Sequence, residues 1–295
     1  MSDLFNQLLT PDKQTEFFDA FGNKEVFCTH GLSKLNTGFK KISFLESFDQ
    51  LIKKWKFEVD VHLADSRDEH TTKTLSSTND ALKEFKKGQS LLFNDVNRQE
   101  PSLEDWLEDI RLNLKLSAHS FSRCLVYATP KGGGNAPHFD QNINFILQLS
   151  GEKTWWTAPN ESVTNPVHRH VIGQQADPEL ESYSASPMPT SFPKNASRFD
   201  LKAGSLLYVP PGVWHKTEAQ TDAVSLNFTF SPATLIDLVT IALRGRLSGS
   251  EIWREQATDL DKPEQIEKLS FLIQHLAEDM QTWSAKDLLN ALEGQ

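Results

Sequence analysis

The sequence predicts a mainly β fold with helical flanks, and three observations carry that expectation. Residues 121–230 hold a succession of short runs, apolar throughout or strictly alternating, each bounded by glycine or proline. On either side the period lengthens to three and four. Phe44, Phe48, Leu51, Ile52 and Trp55 show it before the β region, and Ile266, Leu269, Ile273, Leu276 and Met280 after it. The β region also carries the most chemically loaded stretch, PHFDQNINFILQLSGEKTWW. We therefore divide the chain into an N-terminal α/β flank (1–120), a β core (121–232, with a long insertion at 160–199) and a C-terminal helical region (233–295).

In chain order, residues 1–23 read as a helical lead-in that stops at Gly22-Asn23. Residues 24–31 make a short strand closed by glycine, and 44–55 a helix with one apolar stripe. Residues 57–63 alternate and predict a strand with one wet face. The polar stretch 65–80 is expected to be a loop; His62 and His70 there carry no motif. After a strand at 90–96, Ser102 caps a helix with Leu103, Trp106, Leu107, Ile110 and Leu114 on its apolar face. From Phe121 the pattern is β, interrupted by Pro130 and the glycines at 132–134. A phosphate cradle needs a following Lys-Ser/Thr and a helix, and neither is there. These glycines instead let a loop pass close to a ligand or cross between strands.

Residues 138–149 form one strand or a bent pair, and 152–157 the next. The insertion is polar and rich in proline, which suits a lid, a substrate-binding segment or a mobile loop. Beyond the strand pattern at 198–209, Pro210-Pro211-Gly212 turns tightly and presents Trp214 and His215. Residues 224–230 then set an apolar face (Val224, Leu226, Phe228, Phe230) against a polar one (Ser225, Asn227, Thr229), so this strand lines something polar. Helices follow at 235–247, 264–280 and 283–292, the last capped by Ser284. The 266–280 seam suits packing within the chain or a homodimer.

Composition narrows the class. Forty acidic side chains against 30 basic ones give a net charge of −10, which argues against a nucleic-acid backbone as partner and favours a basic polypeptide. The two cysteines, Cys28 and Cys124, are too few for a disulfide framework, lie in no metal spacing, and read as small buried hydrophobes. Neither a signal peptide nor a membrane-spanning run is indicated, which places the protein in the cytoplasm as an expectation.

The chemistry centres on His138 and Asp140. Residues i and i+2 of a strand share a face, so both side chains reach one point. With His215 they make two histidines and one carboxylate, the ligand set of non-haem Fe(II) oxygenases, which leaves coordination positions open. Asn142 and Asn144 continue the same polar face, and a buried polar row is costly unless it bonds to something. Lys153, between apolar neighbours on the next strand, needs an anion if it points inward. Such a lysine beside the metal residues suggests a cosubstrate that carries a carboxylate. His30 reads as a packing residue. His168 and His170 flank Arg169 in a loop-like setting and make only a weak second metal candidate.

At this point the residues carry a resemblance. PHFDQNINFILQLSGEKTWW with downstream VPPGVWHK and SLNF resembles the JmjC/cupin-type 2-oxoglutarate-dependent oxygenases. It is similar both to the ribosomal oxygenases and to the asparaginyl hydroxylase that acts on the hypoxia-inducible factor. Weaker likeness in FGNKEVFCTHG, LLFNDVNRQEPSLEDWLEDI and VYATPKGGG extends it over residues 15–235. The resemblance implies a double-stranded β-helix of the cupin or jelly-roll type. It implies that His138, Asp140 and His215 bind Fe(II), and that Lys153 and Tyr127 hold the distal carboxylate of 2-oxoglutarate. Asn144 and Asn227 match positions that contact this cosubstrate near the metal, and O2 is the oxidant. Ribosomal oxygenases carry a helical dimerisation region and then a winged-helix domain; the residues after this core are enough for the helices but not for both.

The implied function is hydroxylation of an amino-acid side chain of a protein or peptide. Three other readings stay open: a small-molecule hydroxylase on the same architecture, N-methyl-lysine demethylation, and a non-catalytic metal-binding cupin module. Lys153, Asn144 and Asn227 count against the last, because a structural metal has no use for a cosubstrate pocket.

Overall fold

In the computed structural model, which describes residues 4–62, 72–286 and 288–289, the helical lead-in is broken in two. Helix α1 (Phe5–Leu8) ends at Leu9, whose backbone is extended. Helix α2 (Pro11–Asn23) restarts with proline at its first turn, where a missing N–H costs nothing, and stops where Lys24 turns left-handed at φ 56°. Strand β1 (Phe27–Thr29) and helix α3 (Ser33–Phe39) follow; the apolar period did not predict α3. Helix α4 (Phe48–Lys54) is shorter than expected because Ser47 caps it, its hydroxyl accepting from the Gln50 N–H.

Strand β2 (Val59–His62) pairs with β3 (Thr72–Leu75), and α5 (Thr78–Lys86) starts at a Ser77 cap. These two elements correct the expected loop over 65–80, of which residues 65–71 lie outside the described residues, His70 among them. Strand β3 is the edge of its sheet, so it needs no continuous apolar face to betray it in the sequence. After β4 (Ser90–Phe93), α6 (Ser102–Asn113) buries Leu103, Leu107 and Ile110 as expected. Its cap is not Ser102: Pro101 holds the boundary, and the Ser102 hydroxyl donates to the Glu100 carboxylate at 2.6 Å.

The remaining core elements are β5 (Phe121–Thr129), β6 (His138–Phe139), β7 (Ile143–Ser150), β8 (Lys153–Ala158), β9 (His170–Val171), α7 (Pro178–Tyr183), β10 (Ser197–Leu201), β11 (Leu206–Val209), β12 (Trp214–Ala219) and β13 (Ala223–Ser231). Two antiparallel sheets result, ordered β1-β11-β7-β13-β5-β4-β2-β3 and β10-β8-β12-β6-β9. Together they make the predicted mainly β jelly roll with helical flanks. The polar row from His138 to Asn144 is not one strand, however. The chain crosses from one sheet to the other between Phe139 and Ile143, so β6 and β7 belong to different sheets.

Alternation decides what lies between the sheets. Val224, Leu226, Phe228 and Phe230 of β13 pack in one large cluster with helix residues such as Phe17, Leu35 and Leu107. Ser225, Asn227 and Thr229 are equally buried but point to the other face. Strands β5 and β7 repeat the division. Cys124, Val126 and Ala128, with Phe145, Leu147 and Leu149, join the helix side, while Tyr127, Thr129 and Asn144 take the opposite parity. A smaller cluster of Ile146, Trp155, Leu201, Leu207 and Val209 draws on both sheets.

Residues 160–199 are not an unstructured insertion. Val163, Ile172 and Leu180 from this segment pack on Phe139, Ala158 and Trp214 of the five-stranded sheet, and the segment contains β9 and α7. Its prolines and polar residues hid this, because each apolar anchor stands alone in the sequence. The glycine loop does cross between strands: Gly132 N–H donates to Ala219 O at 2.8 Å, and Ala219 N–H to Gly133 O at 2.8 Å.

In residues 233–295, a separate unit, α8 (Leu235–Ser248) opens with a complete capping box between Thr234 and Asp237. Helix α9 (Pro263–Met280) is tied to α8 by the Arg246–Asp279 ion pair. The predicted seam on α9 faces solvent: Ile266 is 54% exposed and Ile273 55%. The helix expected over 283–292 falls in part outside the described residues. Among the described residues no helix is long and apolar enough to cross a membrane.

Gly134 supplies a test of the packed loop. A Cβ there would lie 1.9 Å from the Thr217 carbonyl oxygen, a backbone atom that cannot step aside. Gly134→Ala is expected to cost about 2 kcal/mol of stability, read from urea denaturation. An unchanged midpoint would show that the loop is free of β12.

Candidate active site

Register in the five-stranded sheet places His138 of β6 directly opposite His215 of β12, with ring centroids 4.1 Å apart. Both rings are held the same way by their own local backbone. His138 Nδ1 donates to Ala136 O at 2.7 Å and His215 Nδ1 to Val213 O at 3.0 Å, since a carbonyl only accepts. That fixes the tautomer and leaves each Nε2 with a lone pair. Asp140 lies in the crossing between the sheets, where the Gly212 N–H donates to its carbonyl at 2.8 Å and ties it to the turn before His215. Its Oδ2 is 3.6 Å from His138 Nε2 and 3.7 Å from His215 Nε2.

Electrostatics suits a ligand set. Burial, with His138 adding to it, pushes the His215 imidazole down to about 3, so it stays neutral. Burial works against the Asp140 carboxylate, yet His138, His215 and Arg169 outweigh it and hold Asp140 well below the usual carboxylate range. Among the described residues, these three form the one group of His, Cys, Asp or Glu placed to hold a metal ion. His168 and His170 do not converge: His170 packs against Phe139 and Trp214, while His168 turns to Tyr183 and Glu179.

Behind the histidines lies a cation that has no anionic partner among the described residues. Lys153 is 3% exposed, and its Nζ donates to the Thr129 hydroxyl at 3.0 Å. Its ammonium lies 5.8 Å from the Tyr127 ring and 5.9 Å from the Trp155 ring, and Trp155 in turn stacks on His215 at 5.6 Å. Burial pulls Lys153 down to about 8 and pushes Tyr127 up to about 12, so the Tyr127 hydroxyl keeps its proton as a donor. Asn227, on the same inward parity, has a buried Oδ1 with no partner among the described residues. Asn144 accepts from the Thr229 hydroxyl at 2.9 Å, and Asn142 from the Ser231 hydroxyl at 2.6 Å. Asn142 is thus spent within the protein, while Lys153 and Asn227 keep unmet needs.

Those needs test the fit of the implied groups. Two imidazoles, each held at Nδ1 by a carbonyl and turning Nε2 toward a carboxylate oxygen, match a divalent transition metal. A buried ammonium whose described partner is a neutral hydroxyl matches a carboxylate on a small organic acid. The residues fit both.

Residues 102–238 match the JmjC domain family. The chain resembles that family over these residues, somewhat under half of its length. It is 28% identical over 299 residues to YxbC of Bacillus subtilis, described as uncharacterized, across 98% of this chain and 91% of that one. It is 35% identical over 109 residues to zebrafish (Danio rerio) ribosomal oxygenase 1, across 36% of this chain but 18% of that protein. In structure it is similar to YcfD, a ribosomal oxygenase from Escherichia coli solved with cobalt and 2-oxoglutarate. The TM-score is 0.54 at 19% identity, covering 91% of this chain and 67% of that one. At that identity the likeness shows the fold.

Three residues at this site were not marked from the sequence. Thr129 follows Tyr127 at the same parity, a signal the strand pattern did hold. Arg169 ion-pairs with Asp140 Oδ1 at 3.1 Å from within the insertion, and nothing local in the sequence marked it. His62 ends β2 with its Nε2 buried and without a partner among the described residues, and its ring 6.4 Å from that of Tyr127. Burial lowers its pKa, and the charges of Arg169, His138 and Lys153 act in the same direction against that of Asp60.

The lysine yields a pH prediction. In the unfolded chain Lys153 keeps its proton up to its ordinary 10.5; folded, it releases it near 8. Between those values the unfolded state binds more protons, so stability rises with pH from about 8 to about 10.5. Below that window the full penalty applies, roughly 3 kcal/mol from the size of the shift. Lys153→Met is expected to stabilise the ligand-free protein at pH 7 by up to that amount and to flatten the rise, measured by urea denaturation at pH 7 and 10. A variant less stable than wild type at pH 7 would show that the ammonium is already neutralised.

Proposed function

We propose that the protein is an Fe(II)- and 2-oxoglutarate-dependent oxygenase that hydroxylates an amino-acid side chain of a protein or peptide. The observation that carries it is the pairing of a two-histidine, one-carboxylate cluster with a buried lysine that has no anion beside it among the described residues. A structural metal site has no use for Lys153, and an isolated anion pocket has no use for the histidines.

On this reading His138, Asp140 and His215 hold the iron. When bound, Fe(II) with 2-oxoglutarate and O2 supplies an oxidation in which R–H, O2 and 2-oxoglutarate become R–OH, succinate and CO2. The chain's residues do the rest. The backbone carbonyls of Ala136 and Val213 keep both imidazoles in the ligating tautomer. Lys153 neutralises the distal carboxylate, Thr129 steadies its ammonium, and the protonated Tyr127 hydroxyl donates to the same end. Asn227 and Asn144 contact the cosubstrate nearer the metal. Trp155, stacked on His215, walls the space between lysine and metal and excludes water from it.

A protein substrate is favoured by the names of the relatives, ribosomal oxygenases, and by the acidic surface that suits a basic polypeptide. The cytoplasm is the expected compartment. The exposed α9 seam supports self-association, because apolar residues at that spacing are rarely left in water. Light scattering at micromolar concentration should give twice the chain mass, and a monomer mass would remove this proposal.

The enzyme itself is tested by succinate release from 2-oxoglutarate with Fe(II). Wild type should turn over slowly without substrate, and His138→Ala and Asp140→Ala should each lose at least about 100-fold. No release by wild type, or full release by both variants, would sink the oxygenase reading. Mass spectrometry of extracts incubated with the enzyme separates the substrate classes. A gain of one oxygen on a peptide supports protein hydroxylation, loss of a methyl group points to demethylation, and products confined to metabolites point to the small-molecule alternative.

A further inference from the structure

We propose that Arg169 is a positioning residue that restricts Asp140 to a single ligating oxygen and so keeps a coordination position open for the cosubstrate. The proposal rests on the metal and cosubstrate reading above and adds a role for the insertion. The two oxygens of Asp140 are turned to different tasks. Oδ2 lies 3.6 Å and 3.7 Å from the Nε2 atoms of His138 and His215, whereas Oδ1 lies 3.1 Å from Nε of Arg169. A carboxylate free at both oxygens is able to bind a cation through both. Doing so would fill one of the positions that this ligand set leaves for substrate. A guanidinium on Oδ1 opposes that, because it engages the oxygen's lone pairs and its charge repels a second approach by the cation.

The backbone around Arg169 is built to hold it there. The next two residues form β9, which pairs Val171 with His138 and His170 with Phe139. His170 lodges beside Phe139 and Trp214, and the Ile172 N–H donates to Pro137 O at 2.9 Å. Just before it, the Val167 N–H donates to the Tyr183 hydroxyl at 3.2 Å. The insertion is thus stitched to the strand that carries His138, and Arg169 projects from that seam onto the neighbouring Asp140. Its side chain is 35% exposed, so replacing it removes a charge and not a piece of core.

The experiment separates metal from cosubstrate. The chelator-stripped full chain is titrated with Mn(II), then the Mn(II)-loaded protein with 2-oxoglutarate, by calorimetry, for wild type and Arg169→Met. Arg169→Gln takes its place if the methionine variant does not fold. The variant should bind Mn(II) as well as wild type does. It should bind 2-oxoglutarate about 10- to 100-fold more weakly, the usual range for loss of a residue that orients a ligand. The visible absorption of the Co(II) form should also change, because a second Asp140 oxygen alters the coordination, and a merely structural ion pair would leave it alone. Wild-type affinity for 2-oxoglutarate with an unchanged Co(II) spectrum would overturn the proposal while leaving the oxygenase reading intact. If wild type itself binds neither Mn(II) nor 2-oxoglutarate, the functional reading falls, and this inference with it.

Discussion

The pairing of β6 with β12 is the constraint on which the rest of the site depends. β6 is a two-residue strand, yet its register sets His138 across from His215 and points both rings to one side. A slip of one residue would turn one ring to the opposite face of the sheet. Neighbours on both sides prevent the slip. β12 is pinned along its length to β8, from Trp214 opposite Ala158 to Ala219 opposite Lys153, and β6 is flanked on its far edge by β9. The same register brings Lys153 onto the face that carries His215. His138, His215 and Lys153 are therefore set by one alignment of strands, to which the crossing adds Asp140 and the other sheet adds Tyr127 and Thr129.

That arrangement places polar groups where an ordinary sheet pair would put leucine. His138, His215, Lys153, Thr129 and Asn227 are all buried, and among the described residues Lys153 has no anionic partner and Asn227 Oδ1 has no partner. Each unmet group weakens the ligand-free fold. What offsets them is the outer face of the eight-stranded sheet, where Phe17, Phe145 and Tyr208 contact one another and Phe228 stacks on Trp106. Helices α1 to α6 thus matter to the chemistry although most of them lie on the far face. They cover the apolar parity of the strands whose polar parity lines the site.

The division between what the sequence disclosed and what it hid follows from this geometry. Alternation in 224–230 put Asn227 on a polar face, the i, i+2 spacing linked His138 with Asp140, and the resemblance joined Asn144 and Lys153 to them. Alternation was readable because a strand converts sequence parity into direction. Where the chain leaves regular structure that conversion fails. Asp140 falls between two sheets, so of the two readings of 138–149, one strand or a bent pair, the structure takes the second, with its halves in different sheets. Arg169 and His62 reach the site from segments far away in sequence, and no periodicity connects them to it. The order within 160–199 was hidden for a related reason: its anchors Val163, Ile172 and Leu180 are isolated, and only the sheet they cover makes them a set.

Charge gives the site a direction of assembly. The ionised groups whose fields act on it are Arg123, Arg169 and Lys153 on one side, Asp140 and Asp60 on the other. With the histidines neutral as ligands, three cations face two carboxylates. A divalent metal added to this set deepens the excess of positive charge in a buried space, where screening by water is weak. A dicarboxylate dianion offsets the charge that the metal brings. On the proposed reading, metal binding creates the demand that 2-oxoglutarate meets, and Lys153 and Arg169 divide the labour. Lys153 waits for the far carboxylate, and Arg169 keeps Asp140 from spending both oxygens on the metal. A monoanion would offset only half of the metal's charge, which gives the pocket a physical preference for a dicarboxylate over a simple carboxylic acid of the same length.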